Sequence, residues 1–392
     1  MKKLLVLGAG IYQIPLIKTA QKMGVYTIVT SIPGNYPGFS VADKVYYENT
    51  VDADAILRIA RDEKIDGIVT TGTDVAIPTL GKVCDEMGLA GLSFEAAMLS
   101  ANKRLMKEAY EKHGVRTAKF REISIDDLDY ASKLDGLAFP LIFKSVDSSG
   151  SRGITRVDSV KEFEAARQCV LENTRSDYYL VEEFIEGEEF GAQAFVQNRK
   201  VEFILPHGDY IYTGNTGVPI GHFAPYDLPE SVVADCKKTL EAAIKAMKLD
   251  NCAINADFIL KDGKTYVLEI GGRSGATCLA ELVSIYYGYN YYEKIVEVAL
   301  GEHANFSSDE RNPNASHLLM ADCDGVIESQ VDNNADNPNL VEVQFDYQVG
   351  DAVKKFEIGP HRIGHVITRG KTLAEAEAEL EKARQNIKIK TK

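Results

Sequence analysis

Apolar runs and amphipathic stretches alternate over about the first 95 residues. "KKLLVLGAG" reads as a buried strand entering a glycine turn, "IPLIKTAQKMG" as a helix ending at Gly24, and "VYTIVTS" as a second strand. "DADAILRIARDEK" is a helix with Asp52 as its cap, "IDGIVTTGTD" a third strand, and "AIPTLGKVCDEMG" another helix. Strand following helix in this way predicts a parallel, doubly wound sheet. Beyond about residue 100 the rhythm changes. "NKRLMKEAYEKHG" is a helix stopping at Gly114, "AFPLIFKSVDSSGSRGITRV" reads strand, glycine-rich turn, strand, and "VKEFEAARQCVLEN" is a helix. "YYLVEEFI" is a strand, a hairpin turns near Asn198, and "PESVVADCKKTLEAAIKAMK" is an amphipathic helix. The final stretch is mostly strand-like and closes with the helix "TLAEAEAELEKARQNI". The expected organisation is a doubly wound α/β domain over 1–100, an α+β domain over 101–305 and a small β-rich domain over 306–392.

One hairpin carries chemistry. In "INADFILKDGKTYVLEIG" two alternating runs flank Asp262-Gly263. A two-residue loop would set Asp257 against Leu268 and mix acids with apolar residues on both faces. A three-residue loop sets Phe258 against Leu268 and Ala256 against Ile270 on one face. The other face then pairs Ile259 with Val267, Asp257 with Glu269, and Asn255 with Gly271. A one-residue slip turns every side chain to the wrong face, so the second register is expected. Two carboxylates then stand opposite each other, roughly 5 Å apart at Cβ. Like charges at that separation repel unless a divalent cation, with Mg²⁺ the natural oxygen-seeking candidate, lies between them. A solvated acidic face or one protonated carboxyl is the alternative.

Bulk properties exclude some functions. A net charge of -14 and a pI near 5.1 argue against a nucleic-acid partner. No apolar run approaches a membrane span, and the short run at the start ends in Gly-Ala-Gly, so neither a membrane partner nor a signal peptide is expected. Cys84, Cys169, Cys236, Cys252, Cys278 and Cys323 are scattered without a CxxC pair and read as reduced thiols of a cytoplasmic protein. Gly8-x-Gly10 is half a dinucleotide fingerprint. Gln13 replaces the third glycine, and the second strand ends in Thr30-Ser31 with no acid for a ribose, which disfavours a nicotinamide cofactor.

Lys144 closes an apolar strand, and Ser148 to Gly153 follow as a glycine- and serine-rich turn able to wrap phosphate oxygens. It lacks the GK[ST] ending of a Walker loop. "LVEEFIEGEEF" places Phe184 and Ile185 among acids, as if one face packs on a ring.

Taken in order, "NKRLMKEAYEKHGV", "FPLIFKSVDSSGSRGI", "VEEFIEGEEF" and "ADFILKDGKTYVLEIGGRSG" resemble the ATP-grasp superfamily, in the branch of biotin carboxylase-like enzymes, carboxylating purine enzymes and amino-acid ligases. The resemblance covers nearly the whole chain and implies ATP and Mg²⁺ (or Mn²⁺) as cofactors, with a nucleotide-binding subdomain over about 115–185. Lys103 and Lys144 match the lysines that hold ATP phosphates, and Ser148, Ser149, Gly150, Ser151 and Gly153 the loop that covers them. Glu182, Glu183, Phe184 and Ile185 match the adenine hinge, and Glu189 the ribose-binding acid. Asp257 and Glu269 match the metal carboxylates, and Arg273 the arginine that stabilises an acyl phosphate. The family's usual Asn two residues after the second metal acid is Gly271 here, and Asn255, expected opposite it, is the substitute ligand.

The reaction implied is ATP-dependent joining of a small carboxylate, an amino acid or relative, to an amine through an acyl phosphate, releasing ADP and phosphate. Ser274, Gly275 and Thr277 after Arg273, with His222 from a Gly-, Tyr- and Pro-rich loop at 207–229, are the expected substrate contacts. The alternatives are a purine-pathway ligase or carboxylation enzyme of phosphoribosylglycinamide synthetase type, and a nucleotide-binding regulatory protein without catalysis. A sugar phosphate would call for basic residues in "GAGIYQ" and "TGTDVA", which have none. His361 and His365 read as structural. The family resemblance also implies a homodimer.

Overall fold

The computed structural model describes the chain apart from residues 147–152, 214–216 and 335–336. Its N-terminal sheet is the parallel one expected. β1 (Lys3–Leu7), β2 (Tyr26–Ser31), β3 (Lys44–Tyr47) and β4 (Gly67–Val69) lie in the order β3-β2-β1-β4, with every pair parallel. Leu4, Leu5, Val6 and Leu7 are all fully buried, so the central strand shows no polar alternation. Helices α1 (Ile14–Lys22), α2 (Ala53–Glu63) and α3 (Ile77–Met87) complete this part. Asp52 caps α2 by accepting the Ala55 N–H at 3.0 Å. The edge strand β3 was not foreseen: four half-exposed residues carry too little pattern to read.

Two further helices, α4 (Phe94–Ala101) and α5 (Lys103–His113), lead into the central region, with Asn102 capping α5. A small antiparallel sheet follows. It is built from β5 (Phe120–Ser124), β6 (Leu141–Lys144), β7 (Ile154–Val157) and β8 (Tyr178–Glu183), in the order β5-β8-β6-β7, with α6 (Tyr130–Lys133) and α7 (Phe163–Asn173) between its strands. The large sheet begins with β9 (Glu188–Gln197), β10 (Lys200–Ile211) and β11 (Pro219–Ala224). Helix α8 (Glu230–Ala246) precedes β12 (Cys252–Lys261) and β13 (Lys264–Gly271), and α9 (Leu279–Tyr287) and α10 (Tyr291–Ala299) follow them.

The C-terminal part contains β14 (Asn314–Leu319), β15 (Gly325–Asp332), β16 (Leu340–Phe345), β17 (Ala352–Val353), β18 (Gly364–Arg369), α11 (Leu373–Asn386) and β19 (Ile387–Thr391). β14, β18 and β16 extend the large sheet beyond β11, giving eight strands in the order β13-β12-β9-β10-β11-β14-β18-β16. The sheet therefore runs unbroken across the boundary expected at residue 306. α11 does not close the chain either: the alternating "IKIKT" after it forms β19 and pairs with β15.

The hairpin of β12 and β13 combines both registers considered from sequence. Its turn is the two-residue Asp262-Gly263 loop, both residues at positive φ (50° and 71°), so the three-residue loop expected is not formed. Ile259 accordingly pairs with Tyr266 and Phe258 with Val267. A bulge then takes up Leu268, and beyond it Asp257 pairs with Glu269 and Asn255 with Gly271, as expected. One face of the hairpin (Ala256, Phe258, Val267, Ile270) joins a core shared with α3, α5, α8 and the N-terminal sheet. The opposite face, with both acids, looks into the cleft.

Candidate active site

The cleft lies between the small and large sheets, with α5 along its floor. Lys103, the first residue of α5, places its ammonium 2.5 Å from Glu269 Oε2. One turn on, Lys107 is buried and reaches Glu182 at 3.2 Å, while Lys144 at the end of β6 meets the same carboxylate at 2.5 Å. Glu182 is thus enclosed between two lysines and turned away from the hinge role expected for it. Burial pushes the Lys107 ammonium below its ordinary range, against the pull of Glu182. Lys107 escaped the sequence reading, although its place four residues after Lys103 puts both on one helix face.

At the hinge, the Phe184 N–H donates to Pro140 O at 2.8 Å, and Arg156 lies over the Phe184 ring at 4.5 Å. Glu183 accepts the Ala138 N–H at 2.9 Å. Ile185 packs with Ala118, Ile259, Tyr266 and Leu268 into a small apolar cluster between the sheets, a surface fit for a flat heterocycle. Leu268 reaches it because the bulge turns Leu268 and Glu269 towards the same side. Glu189 is exposed on β9 opposite Ile259. Of the expected phosphate loop, Ser148, Ser149, Gly150 and Ser151 lie outside the described residues. Gly153 is described: its carbonyl accepts the Ser145 N–H at 2.9 Å, so the two ends of the loop are tied together. At φ 67°, with a would-be β-carbon 2.7 Å from Ser145 Oγ, the position requires glycine.

The Asp257 carboxylate has no hydrogen-bond partner among the described residues. Burial, reinforced by Glu269 and then Asp209, pushes its carboxyl up to about 7. A divalent cation between Asp257 and Glu269 would relieve both the desolvation and the repulsion, so the pair fits Mg²⁺. Asn255 stands opposite Gly271, and its amide oxygen accepts a hydrogen bond from Gln193 Nε2 at 2.6 Å.

Arg273 is held by a residue the sequence did not single out. Asp74, from the turn after β4, takes its guanidinium bidentately, Nε to Oδ1 at 2.8 Å and a terminal nitrogen to Oδ2 at 2.6 Å. Burial alone would raise the Asp74 carboxyl; Arg273 more than cancels it and holds it below its ordinary value. Ser274 is buried and its hydroxyl has no partner among the described residues. The Gly275 N–H is taken by Gln193 Oε1 at 3.0 Å, so this amide is not the free substrate donor expected. Thr277, at φ 54°, lines a small polar pocket with Tyr12, Glu281, Tyr292 and Arg362. All three parts of the chain meet there.

The loop expected over 207–229 is largely two paired strands. His207 lies on β10 and His222 on β11, and both imidazole Nδ1 atoms point at Asp209 Oδ1, at 3.1 and 2.6 Å. The gap between them in sequence hid a contact that the strand pairing creates. His365, on β18, sits 3.3 Å from Glu342, and His361 is partly exposed with its Nδ1 3.1 Å from Lys355 O.

Two antiparallel sheets that bring Lys103 to Glu269, Lys107 and Lys144 to Glu182, and Asp257 opposite Glu269 define a phosphoryl-transferring enzyme class. Residues 137–281 match the family described as "ATP-grasp domain", and residues 317–392 match "L-amino acid ligase C-terminal domain 2". A crystal structure of phosphoribosylglycinamide synthetase from Anaerococcus prevotii superposes with a TM-score of 0.87 at 36% identity, covering 100% of both chains. The formate-dependent phosphoribosylglycinamide formyltransferase of Methanocella arvoryzae is 25% identical over 99% of this chain and 92% of its own length. The alanine–anticapsin ligase of Bacillus subtilis is 24% identical over 68% of this chain and 61% of its own length. The biotin carboxylase domain of the Hydrogenobacter thermophilus 2-oxoglutarate carboxylase, described as a dimer with MgADP, shares the fold at a TM-score of 0.82 and 18% identity. The chain belongs to the ATP-grasp superfamily, in its branch of ATP-dependent carboxylate–amine ligases, whose cofactors are ATP and Mg²⁺.

Proposed function

We propose that this protein is an ADP-forming ligase that joins an amino acid, or a related small carboxylate, to an amine through an acyl phosphate. The observation that carries this reading is the Asp257–Glu269 pair, with Lys103 in contact with Glu269. Asp257 and Glu269 would hold Mg²⁺, which would supply charge neutralisation at the transferring phosphoryl group. Lys103 and Lys144 bind and align the phosphates; Glu182, itself tied to Lys107, holds Lys144 in place. The substrate carboxylate attacks the γ-phosphorus and ADP leaves. Arg273, fixed by Asp74, stabilises the oxyanion that forms when the amine adds. Ile185, Leu268 and their neighbours receive the base, with Glu183 and Phe184 at its edge and Glu189 near the ribose. The polar pocket at Tyr12, Thr277, Glu281 and Arg362 receives a substrate.

The reading of a non-phosphorylated substrate is supported by the first domain's turns. They are tied to each other, Gly10 N–H to Gln13 Oε1 at 2.8 Å and Gln13 Nε2 to Thr71 O at 2.5 Å, and carry no basic residue. Arg362 is the basic group that stacks on Tyr12, and it is paired with Asp346. The likeness to the phosphoribosylglycinamide synthetase favours a second reading, a purine-type ligase.

One assay separates them: Mg-ATP with a pool of amino acids, and in parallel with glycine and phosphoribosylamine, followed by ADP release and mass spectrometry of products. Amide products from the amino-acid pool are expected. Product only from the phosphoribosylamine arm favours the purine reading, and ADP release from neither favours a nucleotide-binding protein without catalysis. A homodimer, implied by the family resemblance, is checked by light scattering.

A further inference from the structure

One face of the large sheet carries more than the carboxylate pair. Pairing partners across a sheet share a face, so the register defines a row from β11 to β13. His222 lies opposite Asp209, and His207, two residues before Asp209, lies opposite Gly191. Gly191 in turn lies opposite Asp257, which faces Glu269. Gly191 leaves the gap that the His207 ring fills: a β-carbon there would stand 2.2 Å from the ring Cε1 and 2.4 Å from Nε2. The histidine pair and the acids thus belong to one continuous surface.

Hydrogen bonding fixes the proton positions. Burial would raise the Asp209 carboxyl, but the two imidazoles hold it well below the usual carboxylate range. An ionised carboxylate only accepts, so both Nδ1 atoms must carry hydrogen. The second nitrogen of His207 is also accounted for. The Gly275 N–H donates to Gln193 Oε1, which turns Gln193 Nε2 towards Asn255 Oδ1 at 2.6 Å and His207 Nε2 at 3.4 Å. An amide NH₂ only donates, so His207 Nε2 accepts. His207 thus has both ring nitrogens engaged, and it links Asp209 to the backbone two residues after Arg273. His222 differs. Its Nδ1 donates to Asp209 at 2.6 Å, and its Nε2 has no partner among the described residues.

Resting on the ligase reading, we propose that His222, oriented by Asp209, is the general base that deprotonates the amine nucleophile. An amine reaches the enzyme as an ammonium ion and cannot attack until it loses a proton. His222 Nε2 takes that proton, and Asp209 balances the imidazolium. The freed nitrogen lone pair forms the C–N bond to the acyl carbon. The C–O bond to phosphorus-bearing oxygen then breaks, and phosphate leaves with that electron pair and the second nitrogen proton. His222 returns its proton to solvent. His207 and Gln193 position this dyad relative to Arg273 and do not touch the proton.

The test compares two kinds of amine in one reaction: an amino-acid pool, protonated near neutral pH, and hydroxylamine, largely unprotonated there. Wild type, His222→Gln and Asp209→Asn are given Mg-ATP, the pool and hydroxylamine, and amide and hydroxamate products are quantified by mass spectrometry. The amide-to-hydroxamate ratio is expected to fall about 100-fold in H222Q, the size of a general-base contribution, and less in D209N. A ratio unchanged in both variants overturns the proposal, since a residue that only shapes the site lowers both products alike. If H222Q does not fold, as read by circular dichroism, the ratio in D209N decides. A wild type that forms neither product sinks the ligase reading, and the base role falls with it. A wild type that forms hydroxamate and amide while the ratio survives in H222Q sinks the base role alone.

Discussion

The imidazole of His207 lies directly over Gly191, where a β-carbon would come within 2.2 Å of it. Gly191 is not at positive φ, so its smallness and not its backbone freedom is what the site uses. Gly191→Ala should displace His207 from Asp209 and Gln193 and cost about 1–3 kcal/mol through overpacking. Product formation should fall more steeply than that loss alone predicts. Denaturant titration and the ligase assay on the same preparation check the two effects.

Asp74 and Arg273 come from different parts of the chain and meet only in the folded molecule. Although Arg273 encloses its carboxylate, the Asp74 side chain is 47% exposed, so solvent screens the pair and its weight in stability is small. Asp74→Asn should leave the melting temperature within a few degrees of wild type, while kcat falls by about 100-fold, the scale of losing one oriented oxyanion donor. The KM for ATP should change little, since on the ligase reading Arg273 acts after nucleotide binding.

Glu182 is the opposite case. It is buried between Lys107 and Lys144, both largely buried themselves. Glu182→Gln removes the counter-charge of two enclosed ammoniums and should destabilise the protein by about 3–5 kcal/mol. Lys144→Met should instead spare stability and weaken ATP binding, measured by titration calorimetry.

The proposed metal pair has a pH signature. The Asp257 carboxyl, pushed up to about 7 by burial and by Glu269, is protonated below that pH in the metal-free protein. Mg²⁺ must displace that proton, so its affinity should rise with pH by up to about tenfold per unit below 7 and level off above it. In the folded chain this pKa lies above its unfolded value. The metal-free protein should therefore lose stability as pH rises from about 4 towards 7, and Mg-ATP should restore it. Asp257→Asn should abolish both trends, as followed by calorimetry and thermal melts.

The parallel N-terminal sheet was legible because an unbroken buried run such as "KLLVL" leaves little else for a strand to be. Lys103 and the acids Asp257 and Glu269 could be singled out because local register and motif order place them. Lys107, Asp74, Gln193 and Leu268 could not, since each acquires its contact from a segment distant in sequence. Asn255 was placed opposite Gly271 correctly, yet its tie to Gln193 depends on β9, which no local pattern aligns with β12.

The sequence by itself determined where the hairpin turns, at Asp262-Gly263, but the loop formed has two residues and not the three expected. It also determined which side chains are acidic and which apolar on either strand. Only the tertiary structure decided that a bulge at Leu268 shifts the register between turn and site. The turn demands one alignment, while burial of Ala256 and Ile270 against the shared core demands another. A single extra residue in β13 satisfies both, and leaves Asp257 facing Glu269.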